Sequence, residues 1–558
     1  MGDLSFTTLD LAVFLGFLAL VVGVSLFASR RERSTEDYFL AGRRLSWWLI
    51  GFSLIASNIS TEHFVGMAGS AFGRVGLAIA SYEWMAAVTL VIVAVWLLPK
   101  FLRAGIYTMP EYLEHRYDHG TRAIMAGYLM VAYVIVFLAT VVYSGAMALN
   151  GIFQLPALFA ERFDLSLAAD AQWQESAEFW ATTAGVWLIG LVAGAYTVYG
   201  GLTAVVWSDL LQGGALLLGA ALVTWLALGE LGGGSVLAGW SVFTEANEAK
   251  LHTVLPWNDP DVPWLAVFVG GLWIPNLFYW GLNQFITQRT LGAKSLAEGQ
   301  KGILFAALMK LAIPFLIVMP GIMAYQLYGE EILALGGNAG DKAYPFMIAR
   351  LLPPELRGVM FAALCGAVMS SFNSGINSAS TIFTIDLYKR YLNPGSSAAN
   401  DVRVGRWATA VIVLVACLWA PVISSFEGVF QYIQEIWGFI SPSILAVFVV
   451  GILHPRTPPA AARAALLLGV PLYAVARFGG LVVDAEWMHA FNSIAFLHHM
   501  AMIFVVLVTV MLVMTARAPL AAAREMPVSR IDATPHPRIK LYGGIVVALT
   551  AVLYAVFW

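Results

Sequence analysis

Ser53-Leu54-Ile55-Ala56-Ser57-Asn58-Ile59-Ser60-Thr61-Glu62-His63 is the stretch on which the reading of this chain turns. Five hydroxyl or amide side chains, a carboxylate and an imidazole fall within eleven residues, in the middle of an otherwise apolar run. Inside hydrocarbon, a polar or ionisable side chain needs a partner or a water-filled cavity. Small and polar residues also let a helix unwind and expose its carbonyls, which is tolerable only beside such a cavity. The stretch therefore predicts a membrane helix interrupted at a solute pathway. A second interruption is predicted at Ile274-Pro275-Asn276, followed by Leu277-Phe278-Tyr279-Trp280-Gly281-Leu282-Asn283-Gln284. There Pro275 removes a backbone donor and crowds the preceding turn.

The composition around these stretches is that of a membrane protein. The chain has 558 residues, 60% hydrophobic and 12% charged, with a mean hydropathy of +0.77; a soluble domain carries roughly 25% charged residues. A soluble multidomain enzyme, a disordered chain and a nucleic-acid binder are excluded, and a net charge of −3 offers no surface for a polyanion. Apolar runs of roughly bilayer length, about 20 residues each, recur along the whole sequence and predict fourteen transmembrane helices. The runs are continuous rather than alternating, which argues against a β-barrel. With the N-terminus outside, 23 of the 31 Lys and Arg fall in loops predicted inside, Arg289 among them, and 7 in loops predicted outside. That asymmetry is the one the positive-inside rule demands. Asp3 and Asp10 precede the first apolar run and Arg30, Arg31 and Arg33 follow it. The first run is thus expected to be an uncleaved span, with both termini outside. Cys365 and Cys417 lie in apolar runs without CxxC spacing and read as buried small hydrophobes.

If residues 47–230 and 264–454 each form five helices, the two interrupted helices are the first of each group. Broken helices at matching places in two halves point to an inverted-repeat transporter with its site at the midplane. Ordinary kinks in packed helices are the competing reading. The expected organisation is then a flanking helix and loop (1–46), two repeats, and three flanking helices (455–558). Isolated polar groups gather on the same centre: Glu83 after Tyr82, Lys310 within an apolar helix, Asp209 after Trp207-Ser208, and Gln434 after Tyr432. A carboxylate, an ammonium, amides and aromatics suit a neutral, hydroxyl-rich solute, because each hydroxyl both donates and accepts. Further along, Ala367 precedes Ser370, Ser371, Asn373, Ser374, Asn377 and Ser378. Such a row of neutral oxygens fits either a hard cation or back-bonded hydroxyls in close helix packing.

These segments resemble the sodium:solute symporter family, and more narrowly its sodium–sugar cotransporter branch. The resemblance is carried by Ser34–Arg43, Ala56–Ser60 with Glu62-His63-Phe64, Ala80–Trp84, Tyr199–Leu202, Ala204–Asp209, Gln288–Leu291, Ser370-Ser371 with Asn377–Thr381, and Tyr432–Gln434. It implies an all-α polytopic protein with a LeuT-like 5+5 inverted-repeat core. It implies a sugar held by Asn58, His63, Glu83, Asn276, Lys310 and Gln434, with Tyr279 stacking on it and closing the inner side beside Trp280. Met67, Tyr82 and Phe430 match an outer gate. Sodium would be held by carbonyls of Ala56, Ile59 and Ala367 and the hydroxyls of Ser370 and Ser371. A second sodium would lie near Asp209, with Asn373, which replaces a hydroxyl, and Ser374. His63 resembles the animal glucose carriers and Asn276 a bacterial galactose carrier, so glucose, galactose and related polyols stay open.

The function expected is sodium-coupled symport of a hexose by alternating access. The alternative is another small solute, such as inositol, an amino acid or a carboxylate. Sodium is the coupling ion. The expected partners are the sugar and a lipid bilayer, with no nucleic acid; the oligomeric state is left open. The expected location is a plasma membrane, in a bacterium the inner one. A membrane enzyme is disfavoured, since HExxH, GxSxG and paired aspartates in facing spans are all missing.

Overall fold

The structure, a computed structural model, describes residues 8–30, 34–153, 155–167, 172, 174–334, 339–425 and 429–558. Within these it describes all side chains except those at 8–11, 151–153, 354–355, 424–425 and 429–435. Eleven helices among the described residues are long and apolar enough to cross a membrane, or twelve if the bent pair Trp264–Gly281 and Gln284–Leu291 is one span. The sequence predicts fourteen, and two features lie behind the difference. The helix Ala177–Leu231 runs for 55 residues. At the α-helical rise that is about 80 Å, whereas one crossing of the hydrocarbon needs about 30 Å. It turns at Gly201, where φ is +51° and ψ −143°, a conformation open to glycine alone. A Cβ at Gly201 would also stand 2.2 Å from the Tyr38 carbonyl oxygen. The second feature is the interrupted stretch itself. Its first half, Trp47–Asn58, has 12 residues and is too short to span by itself.

That helix stops at Asn58. Ile59 is extended (φ −77°, ψ 115°), and the chain resumes with wide π-helical turns over Glu62–Met67 and regular turns over Ala68–Phe72. The second interruption begins beside the expected residues: the helix Trp264–Phe268 ends, and the chain leaves the helix over 269–272 before the helix Trp273–Gly281 begins. Pro275 is the third residue of the helix Trp273–Gly281, where its missing N–H is of no consequence because first-turn N–H groups have no intrahelical partner. The chain unwinds a second time at Leu282 and Asn283. Asn283 is extended, and its Oδ1 accepts the Phe285 N–H at 3.1 Å to cap the helix Gln284–Leu291. The axis bends there by 46°.

The helix Pro354–Thr381, continued by π-helical turns to Leu392, is buried along almost its whole length and forms the centre of the bundle. The 55-residue helix packs along it, and the helix Trp47–Asn58 lies against both. Approach is closest at Gly213, where a Cβ would sit 2.5 Å from the Ala56 Cβ. The broken end of the first interrupted helix is thereby pressed into the middle of the molecule. Cys365 and Cys417 are buried free thiols.

Candidate functional site

Four elements deliver polar groups to one cavity. Asn58 and His63 come from the two sides of the first break, Glu83 from the helix Ser81–Ile92, Lys310 from the helix Leu296–Ile313, and Tyr279 from the helix Trp273–Gly281. Lys310 Nζ stands 2.5 Å from Glu83 Oε2, with both side chains almost fully buried. It also donates to Asn58 Oδ1, and Asn58 Nδ2 donates to the Tyr279 hydroxyl at 3.2 Å. The Ser60 N–H donates to His63 Nδ1 at 3.4 Å, which assigns the ring proton to Nε2. Nε2 faces Glu83 Oε1 at 3.4 Å. His63, Glu83, Lys310, Asn58 and Tyr279 thus form one continuous polar string. The Lys310 ammonium also sits 4.9 Å from the centre of the Trp280 ring, and Trp280 packs edge-on against Tyr279.

The cavity these groups line, its open mouth included, encloses about 860 Å³ of space free of protein atoms. Asn276, Met67 and Tyr82 line it as well. Asn276 is buried, and its Nδ2 has no hydrogen-bond partner among the described residues. A buried donor without a partner is costly. Phe430 and Gln434 lie outside the residues whose side chains are described. Glu62, Phe137, Phe278 and Trp437 line the cavity without having been singled out as site residues. Phe137 and Trp437 come from plain apolar runs, where nothing marks one aromatic above its neighbours. Glu62 stands beside His63, and its charge was the available signal.

Next to the cavity lies a cluster of hydroxyls. Ser370 Oγ is 2.5 Å from Asp209 Oδ1 and 3.2 Å from the Ala56 carbonyl oxygen. A hydroxyl has one proton, and the shorter contact takes it, which leaves the Ala56 carbonyl with electron pairs to spare. Ser371 Oγ donates to the Ser57 carbonyl at 3.0 Å. Ile59, being extended, turns its own carbonyl away from the helix axis. Ala367 is buried one turn before Ser371 on the central helix. Ser57 and Ser371 line the solute cavity too, so the hydroxyl cluster and the cavity share a wall. Carbonyls and hydroxyls of this kind are hard donors and fit a hard monovalent cation.

Asp209 is placed differently from the expectation of a second cation site. Its carboxylate is fully buried and faces Arg289, with Nη2 to Oδ2 at 3.2 Å. Oδ2 also accepts from Ser53 Oγ at 2.5 Å and lies 3.0 Å from Ser57 Oγ, which donates to the nearer Ser53 carbonyl at 2.7 Å. Arg289 further donates from Nε to Ser53 Oγ at 2.6 Å and from Nη2 to Ser374. Ser374 is therefore brought to Asp209, but a guanidinium sits there with it. Asn373 is not brought there: Thr197 Oγ1 donates to its Oδ1 at 3.0 Å and its Nδ2 donates to Tyr196. Arg289, counted from sequence as a loop cation, is buried in the bundle instead. Its neighbours in sequence are polar, and only its distant partner Asp209 reveals why burial is tolerable.

Comparison with known proteins identifies the family. Residues 38–161 and 157–469 match the family described as "Sodium:solute symporter family". The chain is 42% identical over 489 residues to the sodium/glucose cotransporter of Vibrio parahaemolyticus, covering 84% of this chain and 85% of that one. It is 33% identical to the sodium/myo-inositol cotransporter 2 of Mus musculus, covering 83% of this chain and 69% of that one. Among solved structures it is similar to a substrate-bound, outward-open Na⁺-coupled sialic acid symporter, with a TM-score of 0.77, 22% identity, and coverage of 94% of this chain and all of the other.

Proposed function

This chain belongs to the sodium:solute symporter family, and from that premise we propose that it uses a sodium gradient to carry a hexose of the glucose or galactose type. It is a multi-pass, sodium-coupled solute symporter with a LeuT-like helical fold, and not an enzyme. The choice of a sugar rests on the polar string from His63 to Tyr279. Glu83 and Lys310 neutralise each other, so the string presents acceptors and donors without net charge, as a polyol needs. Glu62 adds a carboxylate to the cavity wall, which works against a carboxylate solute. Asn276 supplies the waiting donor, and Tyr279 and Trp280 supply faces for the apolar side of a pyranose. Gln434 completes the proposed sugar contacts, and Met67, Tyr82 and Phe430 form the proposed outer gate.

In this reading sodium binds at the carbonyls of Ala56, Ile59 and Ala367 and the hydroxyls of Ser370 and Ser371. The interrupted helix carries both Ala56 and Asn58, so an ion that fixes one fixes the other. Coupling follows when each ligand favours the same state of that helix. Residues 47–230 and 264–454 are the proposed halves that rock about the site, and a bacterial inner membrane with both termini outside is the proposed setting. The identity of the inositol carrier at 33% supports a second reading, a cyclic polyol as solute. Competition in proteoliposomes decides between them. Unlabelled galactose should block uptake of labelled glucose more strongly than myo-inositol does. A reversed order selects the polyol, and block by neither overturns both.

A further inference from the structure

A second cavity lies on another face of the molecule, where the helix Ala398–Trp419 meets the 55-residue helix close to its turn at Gly201. Arg403, Arg406 and Trp407 line it above an apolar floor of Val198, Val402 and Ala410. Arg406 is clamped over the rings of Tyr38 and Tyr199, at 5.9 and 5.7 Å, and its Nη2 donates to the Tyr199 carbonyl at 3.2 Å. Its Nε is buried and has no partner among the described residues. Neither guanidinium is ion-paired among the described residues, whereas Arg43, Arg74, Arg122, Lys389 and Arg390 all are. Asp401, on the turn before, is buried, with its Oδ2 engaged by Lys389 at 2.7 Å and Thr35 at 3.2 Å.

Depth and surroundings say what kind of anion fits. The apolar segment Ala398–Ile423 has 26 residues, about 39 Å of helix, longer than a hydrocarbon core of about 30 Å. Asp401, Arg403 and Arg406 are the charged residues of the helix Ala398–Trp419 and all lie in its first turns, so this end is set at headgroup depth and the apolar zone follows. Trp407 is 69% and Tyr199 47% exposed, as aromatics are at a bilayer interface. Below them Val411, Leu414 and Leu418 continue an exposed apolar track along the same helix. This end also carries the basic loops that the charge asymmetry assigns to the cytoplasmic side, where anionic lipids collect.

We propose that this cavity binds an anionic phospholipid, with its phosphodiester held between the guanidiniums of Arg403 and Arg406 and its glycerol and upper acyl chain on Val198, Val402, Ala410 and Trp407. Guanidinium matches phosphate oxygens in pairs, and the apolar track accepts the chain that free phosphate lacks. The test is native mass spectrometry of the full chain, purified in a neutral detergent, with phosphatidylglycerol, phosphatidylcholine or inorganic phosphate added. Phosphatidylglycerol should be retained over phosphatidylcholine, and Arg403→Gln and Arg406→Gln should each weaken retention about fivefold. Arg403 is exposed and makes no bond among the described residues, so Arg403→Gln decides the matter if Arg406→Gln fails to fold. Unchanged retention in Arg403→Gln overturns the proposal. Displacement of the lipid by inorganic phosphate overturns it too, by making the cavity a site for the free ion.

Discussion

Lys310 carries an ammonium into the middle of an apolar bundle, and it stays there because Glu83, Asn58 and the Trp280 ring surround it. Removing one partner of a buried pair strands the other, at a cost of about 3–5 kcal/mol. Lys310→Ala should therefore abolish solute uptake and lower the melting temperature, while Lys310→Ala with Glu83→Gln should recover stability without recovering uptake. Melting curves and uptake on the same preparations read the two apart. Ser371 is a separate case, since its hydroxyl contacts the Ser57 carbonyl at the wall between cavity and hydroxyl cluster. Ser371→Ala should raise the sodium concentration for half-maximal uptake several-fold, with a loss of only about 1 kcal/mol in stability. A normal sodium requirement in that variant contradicts the ion assignment. Single residues of this type were legible because a charge or a row of hydroxyls in an apolar run is conspicuous. Arg289 was not, because its run already looked like a polar loop and its partner Asp209 is 80 positions away.

At the scale of the element, the first interruption was readable from Ser57, Asn58 and Ser60, since small polar residues mark where a membrane helix unwinds. The second was readable as well, since the helix is broken over 269–272, just before Ile274. Pro275 lies in the first turn of the helix that resumes after that break, where a proline is tolerated, and the extended Asn283 adds a further bend that no residue marked in advance. The turn at Gly201 holds Tyr38 and the 55-residue helix together. Gly201→Ala should cost about 1–3 kcal/mol, the usual price of forcing a side chain into such a conformation, read as a lower melting temperature in detergent. The loop before Trp264 is tied by Arg74 to Asp259 at 2.6 Å. Burial works against the Asp259 carboxylate, but the Arg74 guanidinium and the Val262 and Asp261 N–H groups outweigh it and hold its carboxyl below the ordinary range. The tie is thus fully present above the unfolded carboxyl value, about 3.9, and is lost as pH falls through the lower folded value. Proteolysis within 251–263 should rise only on strong acidification, whereas Asp259→Asn should expose the loop at neutral pH.

For the molecule as a whole, hydropathy and loop charge gave the membrane class and the helical fold, because the bilayer admits few alternatives. The number of spans was less legible, since Ala177–Leu231 divides at the non-helical Gly201 into two long stretches and each half of the first broken helix is short. The cavity was read from its charged and amide groups and from Tyr82, Tyr279 and Trp280, whereas Phe137, Phe278 and Trp437 were not read. What the whole fold adds is contiguity: the interrupted helix bears the carbonyls facing Ser370 and Ser371 on one side of Asn58 and the solute-facing His63 on the other. Coupling between ion and solute through that single element is the central claim. It is tested most directly by loading the purified protein into liposomes and following labelled glucose with an inward sodium gradient, with equal sodium on both sides, and with potassium in place of sodium. The account predicts accumulation above the outside concentration under the gradient alone; the same accumulation with sodium equal on both sides or replaced by potassium would contradict it.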